Sequence, residues 1–359
     1  MLTWMPGTLT MLAVIGISSG CTFSAPRFSG PAQKPAHEGA PFDGEKFHNR
    51  PEVPHGSFTT MMKWVKTREP GHWGDFTDHP PGPKPLTRVE GDGLRVTFVN
   101  HSTFLIQTAG VNLLTDPIWA ERCSPVSFAG PKRVRPPGIK FEDLPPIDAV
   151  LISHNHYDHL DADTLRRLAE RDQPQVFAGL GNAALLQTLG LEHAIDLDWW
   201  QSRSLGSNVK ITFVPAQHFS GRGLSDRDAT LWGGFVIEGP WGPIYFAGDT
   251  GFGPHFQAIR DHFGPMQLAL LPIGAFKPTW VMSTVHISPM EAVKAHMVLD
   301  AAQSVGMHFG TFPLADDGEH EPKEALDRAL TAAGLPHDSF RTLGFGEGWS
   351  PNRRALTAR

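Results

Sequence analysis

A layered domain of strands and helices is what this chain of 359 residues predicts, and three observations carry the prediction. From Leu94 onward, short apolar runs alternate with helical stretches, the pattern of an α/β or α+β layered fold. Hydrophobic residues make up 40% of the chain and charged residues 19%, enough apolar material for a sizeable core, so disorder throughout is excluded. Four of the apolar runs stop at a histidine or an aspartate, which puts metal-type side chains where sites form in layered folds, along a rim of strand ends.

The elements follow in chain order. Residues 1–20 carry no charge and contain the apolar run Met11–Ile17, far short of the ~20 residues a membrane-crossing helix needs. Ser18-Ser19-Gly20 then precede Cys21, so the segment reads as an export signal. Cys21 stands where a bacterial lipobox is acylated, and the expectation is an exported lipoprotein of the outer membrane or periplasm, with a soluble periplasmic protein as the alternative. Residues 22–88 hold 11 prolines, and 21–57 reads as a linker unable to pack a core. An N-terminal extension over 58–88 contains one amphipathic helix, with Phe58, Met61, Met62 and Val65 at i, i+3, i+4 and i+7 and Trp64 beside them. Its first reading is a helix closing over the core; its second is a membrane-facing or acyl-chain-facing element.

The main domain is expected over 89–350. Leu94–Asn100 begins as a period-2 strand, and Phe104–Gln107 and Val111–Leu114 flank the turn Thr108-Ala109-Gly110 as a hairpin. Helices are expected over Asp163–Arg171, Pro289–Ala302 and Pro322–Ala333. Ala149–Ser153 ends in His154, Ile211–Gln217 in His218, Ile244–Gly248 in Asp249, and Ser304–Met307 in His308. If these strands share an orientation, their ends meet.

The first of those ends is dense: His154-Asn155-His156-Tyr157-Asp158-His159. Histidines at i and i+2 of an extended loop point the same way and chelate one ion, while Asp158 and His159 face a second as the loop turns. Imidazoles with a carboxylate minority suit Zn²⁺ over Mg²⁺ or Ca²⁺. Two cysteines exclude a disulfide framework or a Cys-rich zinc module, whereas 18 histidines leave ample ligands. A net charge of −6 carries no polyanion-binding footprint, so nucleic acid is excluded as a partner.

His-x-His-x-Asp-His after a buried strand resembles the signature of the metallo-β-lactamase superfamily, and the flanking text resembles its N-acyl-phosphatidylethanolamine-hydrolysing phospholipase D family, in a bacterial form. The stretches that carry the likeness include His101–Phe104, Leu114–Pro117, Gly130–Arg133, Pro215–Arg222, Leu231–Gly234, Phe246–Gly251, Leu271–Phe276 and His308–Phe312. The resemblance implies an αββα sandwich with an N-terminal extension, and two Zn²⁺ per chain. His154, His156 and His218 would hold one ion, Asp158, His159 and His308 the other, and Asp249 would bridge them. Asp116 would orient ligands from behind.

The resemblance also implies a phosphodiesterase. Two divalent cations against two carboxylates and a hydroxide leave a positive site suited to a phosphodiester. Activated water would attack phosphorus, Asp249 or Asp158 taking its proton, to give N-acylethanolamine and phosphatidic acid. His286, just ahead of a helix starting near Ser288, would contact substrate or protonate the leaving alkoxide. Tyr157 would touch the head group. The implied partners are a phospholipid and a membrane surface, and a homodimer is compatible with this reading. Val285 and Phe276 replace a glutamine and an aromatic hydroxyl of the lipid-hydrolysing members. A hydrolase of another ester, a lactone or a small phosphodiester, therefore stands as the alternative, beside a non-catalytic zinc-binding lipoprotein. Cys123 lacks a neighbouring base and is no nucleophile.

Overall fold

The computed structural model describes residues 39–53 and 58–353. The segment read as an export signal, with Cys21, lies outside the described residues, among which no helix is long and apolar enough to cross a membrane. Two seven-stranded sheets face each other. The first contains β1 (Leu94–Asn100), β2 (Thr103–Thr108), β3 (Val111–Thr115), β4 (Ala149–Ile152), β5 (Gln175–Gly179) and β6 (Ala194–Leu197) in sequence order, with β14 (Gly348–Trp349) returning beside β1. The second runs from β7 (Ser202–Leu205) through β8 (Val209–Val214), β9 (Gly234–Glu238), β10 (Ile244–Phe246), β11 (Leu268–Pro272) and β12 (Gln303–Met307) to β13 (Phe340–Arg341). Both follow one plan: an antiparallel meander that turns into parallel strands.

Phe98, Phe104 and Phe177 of the first sheet share a core with Phe213, Phe235 and Phe246 of the second. Helices α2 (Ala162–Asp172) and α3 (Ala183–Gln187) pack Leu165, Leu168 and Leu186 on the other face of the first sheet, against Val150, Ile152 and Val176. Helices α4 (His255–Phe263), α6 (Pro289–Val298) and α7 (Glu321–Ala333) bury Phe256, Ile259, Val293, Leu326 and Leu330 on the second sheet. The arrangement is the αββα sandwich that the resemblance implies, with an N-terminal region added.

Local chemistry explains the boundaries. The β2–β3 turn needs two residues in the left-handed region, and Ala109 and Gly110 adopt φ of 49° and 76°. Helix α6 opens on a capping box: the Ser288 hydroxyl accepts from the Glu291 amide, the Glu291 carboxylate accepts from the Ser288 amide, and Pro289 occupies the first turn. This helix stops at Val298 rather than Ala302, because Asp300 turns left-handed at φ 47° and the Ala302 amide donates to Met266 instead.

The region read as a linker is a second correction, since its described part packs. Pro41–His48 forms a small hairpin in which Phe42 and Phe47 pair and sink into the sandwich core, their rings 4.6 Å apart. The Asp43 carboxylate accepts from the Glu45 and Lys46 amides and closes the turn. Helix α1 (Phe58–Thr67) follows, and its Trp64 is buried against Ala275, Ala315 and Met282, the last in the short helix α5 (Thr279–Met282). The Trp64 indole and the Arg68 guanidinium each donate to Asp316, both at 2.7 Å. This is the contact of a helix closing over the domain.

Candidate metal centre

The strands β8, β10, β11 and β12 point the same way, so His218, Asp249 and His308 leave one rim of the second sheet, opposite the end of β4 that carries His154. Gly248 brings the two rims together. It adopts φ 59°, and a Cβ there would lie 2.5 Å from that of Ser153. Only glycine allows Asp249 to follow at this approach.

Two clusters result, and Asp249 stands between them. In the first, His154 Nε2 and His218 Nε2 lie 2.8 and 3.4 Å from His156 Nδ1. In the second, Asp158 Oδ2 lies 3.3 Å from His159 Nε2 and 3.4 Å from His308 Nε2. Asp249 Oδ2 is 3.1 Å from both His159 and His308, 3.9 Å from His218 and 4.0 Å from His154. Nitrogens about 2.0–2.1 Å from a tetrahedral Zn²⁺ stand roughly 3.3 Å from one another, so both clusters have the span an ion requires.

Hydrogen bonding fixes which nitrogens face the gap. Asp116 Oδ2 accepts from His159 Nδ1 at 2.7 Å and from the Ser153 hydroxyl at 2.5 Å, and Oδ1 accepts from the Ser153 amide. With its proton given to Asp116, the Ser153 hydroxyl accepts from His154 Nδ1 at 2.9 Å. His218 Nδ1 donates to the Val285 carbonyl at 2.8 Å. His154, His159 and His218 therefore all present Nε2 inward, a ligand's orientation with its opposite nitrogen anchored. Burial, together with neighbouring histidines, pushes His154 and His218 well below the usual range; burial likewise takes His156 to about 4. Three neutral imidazoles converging lone pair to lone pair call for a cation.

The second cluster makes the same demand through charge. Burial works against an imidazolium at His159 and His308, yet Asp249 and Asp158 outweigh it, holding His159 well above its usual value and His308 at about 9. Asp158 and Asp249 are held well below the carboxylate range, where burial opposes ionisation but His159 and its neighbours prevail. The carboxylates thus favour positive charge at these positions. Asp249 Oδ1, His159 Nε2 and His308 Nε2 are buried without a hydrogen bond, atoms left for an ion. The donor set thus fits metal binding at one or both clusters.

His286 stands at the edge, its Nδ1 3.8 Å from Asp249 Oδ2 and its side chain 13% exposed, more open than those of His154, His159, His218 and His308. Burial holds it neutral, at about 4. Tyr157 is half-buried against Cys123 and Phe312, its hydroxyl donating to the Arg222 carbonyl and its ring beneath the Arg222 guanidinium. Cys123 is buried, which pushes its thiol well up. One residue of the site escapes the sequence reading: buried His101 has Nε2 3.0 Å from Asp158 Oδ2 and its ring 4.0 Å from that of His308. Its signal was present, since β1 also ends directly in a histidine.

Comparison with known proteins agrees with this geometry. Residues 111–309 match the family model described as a beta-lactamase superfamily domain. The N-acyl-phosphatidylethanolamine-hydrolyzing phospholipase D 1 of Caenorhabditis elegans is 41% identical over 275 residues, covering 73% of this chain and 77% of that protein. Among solved structures, a metallo hydrolase from the archaeon Ignicoccus hospitalis superposes with a TM-score of 0.54 at 23% identity, over 73% of this chain and 99% of that one. An isothiocyanate hydrolase from Delia radicum gut bacteria superposes with a TM-score of 0.55 at 20% identity, over 72% of this chain and 100% of that one. The two structures share the fold alone. With the family model spanning more than half of its length and a relative this similar, the chain belongs to the metallo-β-lactamase superfamily and is a metal-dependent hydrolase.

Proposed function

We propose that this hydrolase cleaves the phosphodiester of an N-acyl-phosphatidylethanolamine in the phospholipase D sense, releasing N-acylethanolamine and phosphatidic acid. The observation that carries the reading is the 41% identity to the C. elegans phospholipase D over 275 residues. His154, His156 and His218 would hold one zinc ion and Asp158, His159 and His308 the other, with Asp249 shared. When bound, the zinc pair supplies a water nucleophile at neutral pH and positive charge against the phosphoryl oxygens. The protein's own groups do the rest. His101 and Asp116 fix Asp158 and His159 from behind. His286, at the open edge beside Asp249, faces the leaving alcohol and handles its proton. Tyr157 contributes an aromatic wall for the head group.

Acylation of Cys21 would anchor the enzyme where its lipid substrate lies. A second reading, hydrolysis of another ester, rests on Val285 and Phe276, which stand where lipid-hydrolysing members carry polar groups.

The test is zinc-loaded protein lacking the export signal on mixed micelles of an N-acyl-phosphatidylethanolamine, with products identified by mass spectrometry. Phosphatidic acid plus N-acylethanolamine is expected, and Asp249→Asn should abolish both. His286→Ala should lower kcat with bound zinc unchanged; loss of zinc would show that its role is misassigned. No product from fully loaded enzyme would overturn the lipid substrate and favour a lactone or a smaller phosphodiester.

A further inference from the structure

We infer that Asn49, from the segment ahead of the hydrolase domain, is a positioning residue of the metal centre: its carboxamide clamps the peptide of His218 and so aims that imidazole. The inference rests on the reading of His218 as a metal ligand.

Pairing between β8 and β9 ends at Val214 opposite Gly234, and His218 lies four residues further on. The His218 amide and carbonyl are buried there without a strand beside them, so they need other partners. Asn49 supplies both. Its Nδ2 donates to the His218 carbonyl at 2.9 Å, and its Oδ1 accepts from the His218 amide at 3.0 Å. A carboxamide carries the same donor and acceptor as a peptide, so Asn49 pairs with His218 as a neighbouring strand would. Its orientation is fixed by a third bond. The Trp232 indole, which can only donate, reaches Asn49 Oδ1 at 3.2 Å and the Ala216 carbonyl at 3.1 Å.

The clamp is itself anchored. Phe42 and Phe47 hold the hairpin before Asn49 in the core, and the Phe47 amide donates to the Asp228 carbonyl. The Ala40 amide donates to Asp198. With amide, carbonyl and Nδ1 of His218 all held, the direction of Nε2 is set, and one of its three restraints comes from Val285 while the other two come from Asn49. His154 lies two residues beyond β4, whereas His218 lies four beyond β8, where the ladder with β9 no longer reaches its peptide.

The test compares the full chain with Asn49→Ala, His218→Ala and Leu330→Ala, the last a buried position on α7 that removes stability away from the site. Zinc dissociation constants are read by competition with a chromophoric chelator, and the visible spectrum is read on the cobalt-loaded proteins. Asn49→Ala should weaken zinc by about 10–100-fold and shift the cobalt spectrum. Leu330→Ala should lower the melting temperature and leave both readouts as in the parent. If Asn49→Ala and Leu330→Ala behave alike, the clamp is structural only and the inference fails. If His218→Ala binds zinc like the parent, the ligand reading itself is wrong. Should the alanine variant not fold, Asn49→Asp keeps an acceptor for the amide but no donor for the carbonyl, and an affinity equal to the parent's would overturn the clamp.

Discussion

Asp116 illustrates how much of a metal centre is decided by residues that need never touch the ion. Its two oxygens receive three hydrogen bonds, from the Ser153 amide, the Ser153 hydroxyl and His159 Nδ1, and the hydroxyl passes the orientation on to His154. Asp116→Asn would set an NH₂ against donors at one of these contacts. Zinc affinity should fall by about 10–100-fold, read by chelator competition, with the fold retained by circular dichroism. An unchanged affinity would mean that the ligands are held well enough by the loop alone. At this scale most of the site was legible: a histidine or aspartate closing an apolar run marked His154, His218, Asp249 and His308 as a group. The same signal at His101 was passed over, because a single strand-terminal histidine carries no chemistry until the carboxylate it meets, Asp158, is known.

At the scale of elements, the hairpin Pro41–His48 departs most from the sequence expectation. Phe42 and Phe47 show neither helical nor strand periodicity, and between them lies a polar turn, so nothing local marks them as core. Their burial is created by the hole they fill. Phe47→Ala should cost about 3–5 kcal/mol in urea unfolding, the range for emptying a phenylalanine site in a core. A loss below about 1 kcal/mol would show that the hairpin is a loosely attached strap. The β2–β3 hairpin and the start of α6 were readable, by contrast, because their turn and cap chemistry is written in adjacent residues. The close approach at Gly248 was not, since a glycine in sequence does not say which backbone it must clear.

For the molecule as a whole, acid sensitivity follows from histidines that the metal centre does not use. Burial depresses His255 to about 3, and burial, partly offset by Asp300, depresses His296 to about 4, from an ordinary value of 6.5. A depressed imidazole favours the neutral form when folded, so the unfolded chain binds more protons below pH 6.5. The stability these groups carry is present in full above that pH and is lost as pH falls through the folded values. Each contributes a slope of about 1.4 kcal/mol per pH unit once its unfolded form is protonated. Urea unfolding at pH 7.5 and at pH 5 should therefore show a smaller pH difference in the paired variant His255→Gln, His296→Gln than in the parent; equal differences would place acid sensitivity elsewhere. By itself, the sequence determined the layered class, the chain order of its principal elements and the metal-type residues that cluster at the site, because hydrophobic period, turn residues and side-chain chemistry are local properties. Only the tertiary structure decided that the rims of two different sheets meet across Gly248, that Asp249 stands between two clusters, and that Asn49, from outside the expected domain, bonds the peptide of His218. Each of those is a contact between residues far apart in the chain, made where packing and backbone hydrogen bonds are satisfied together.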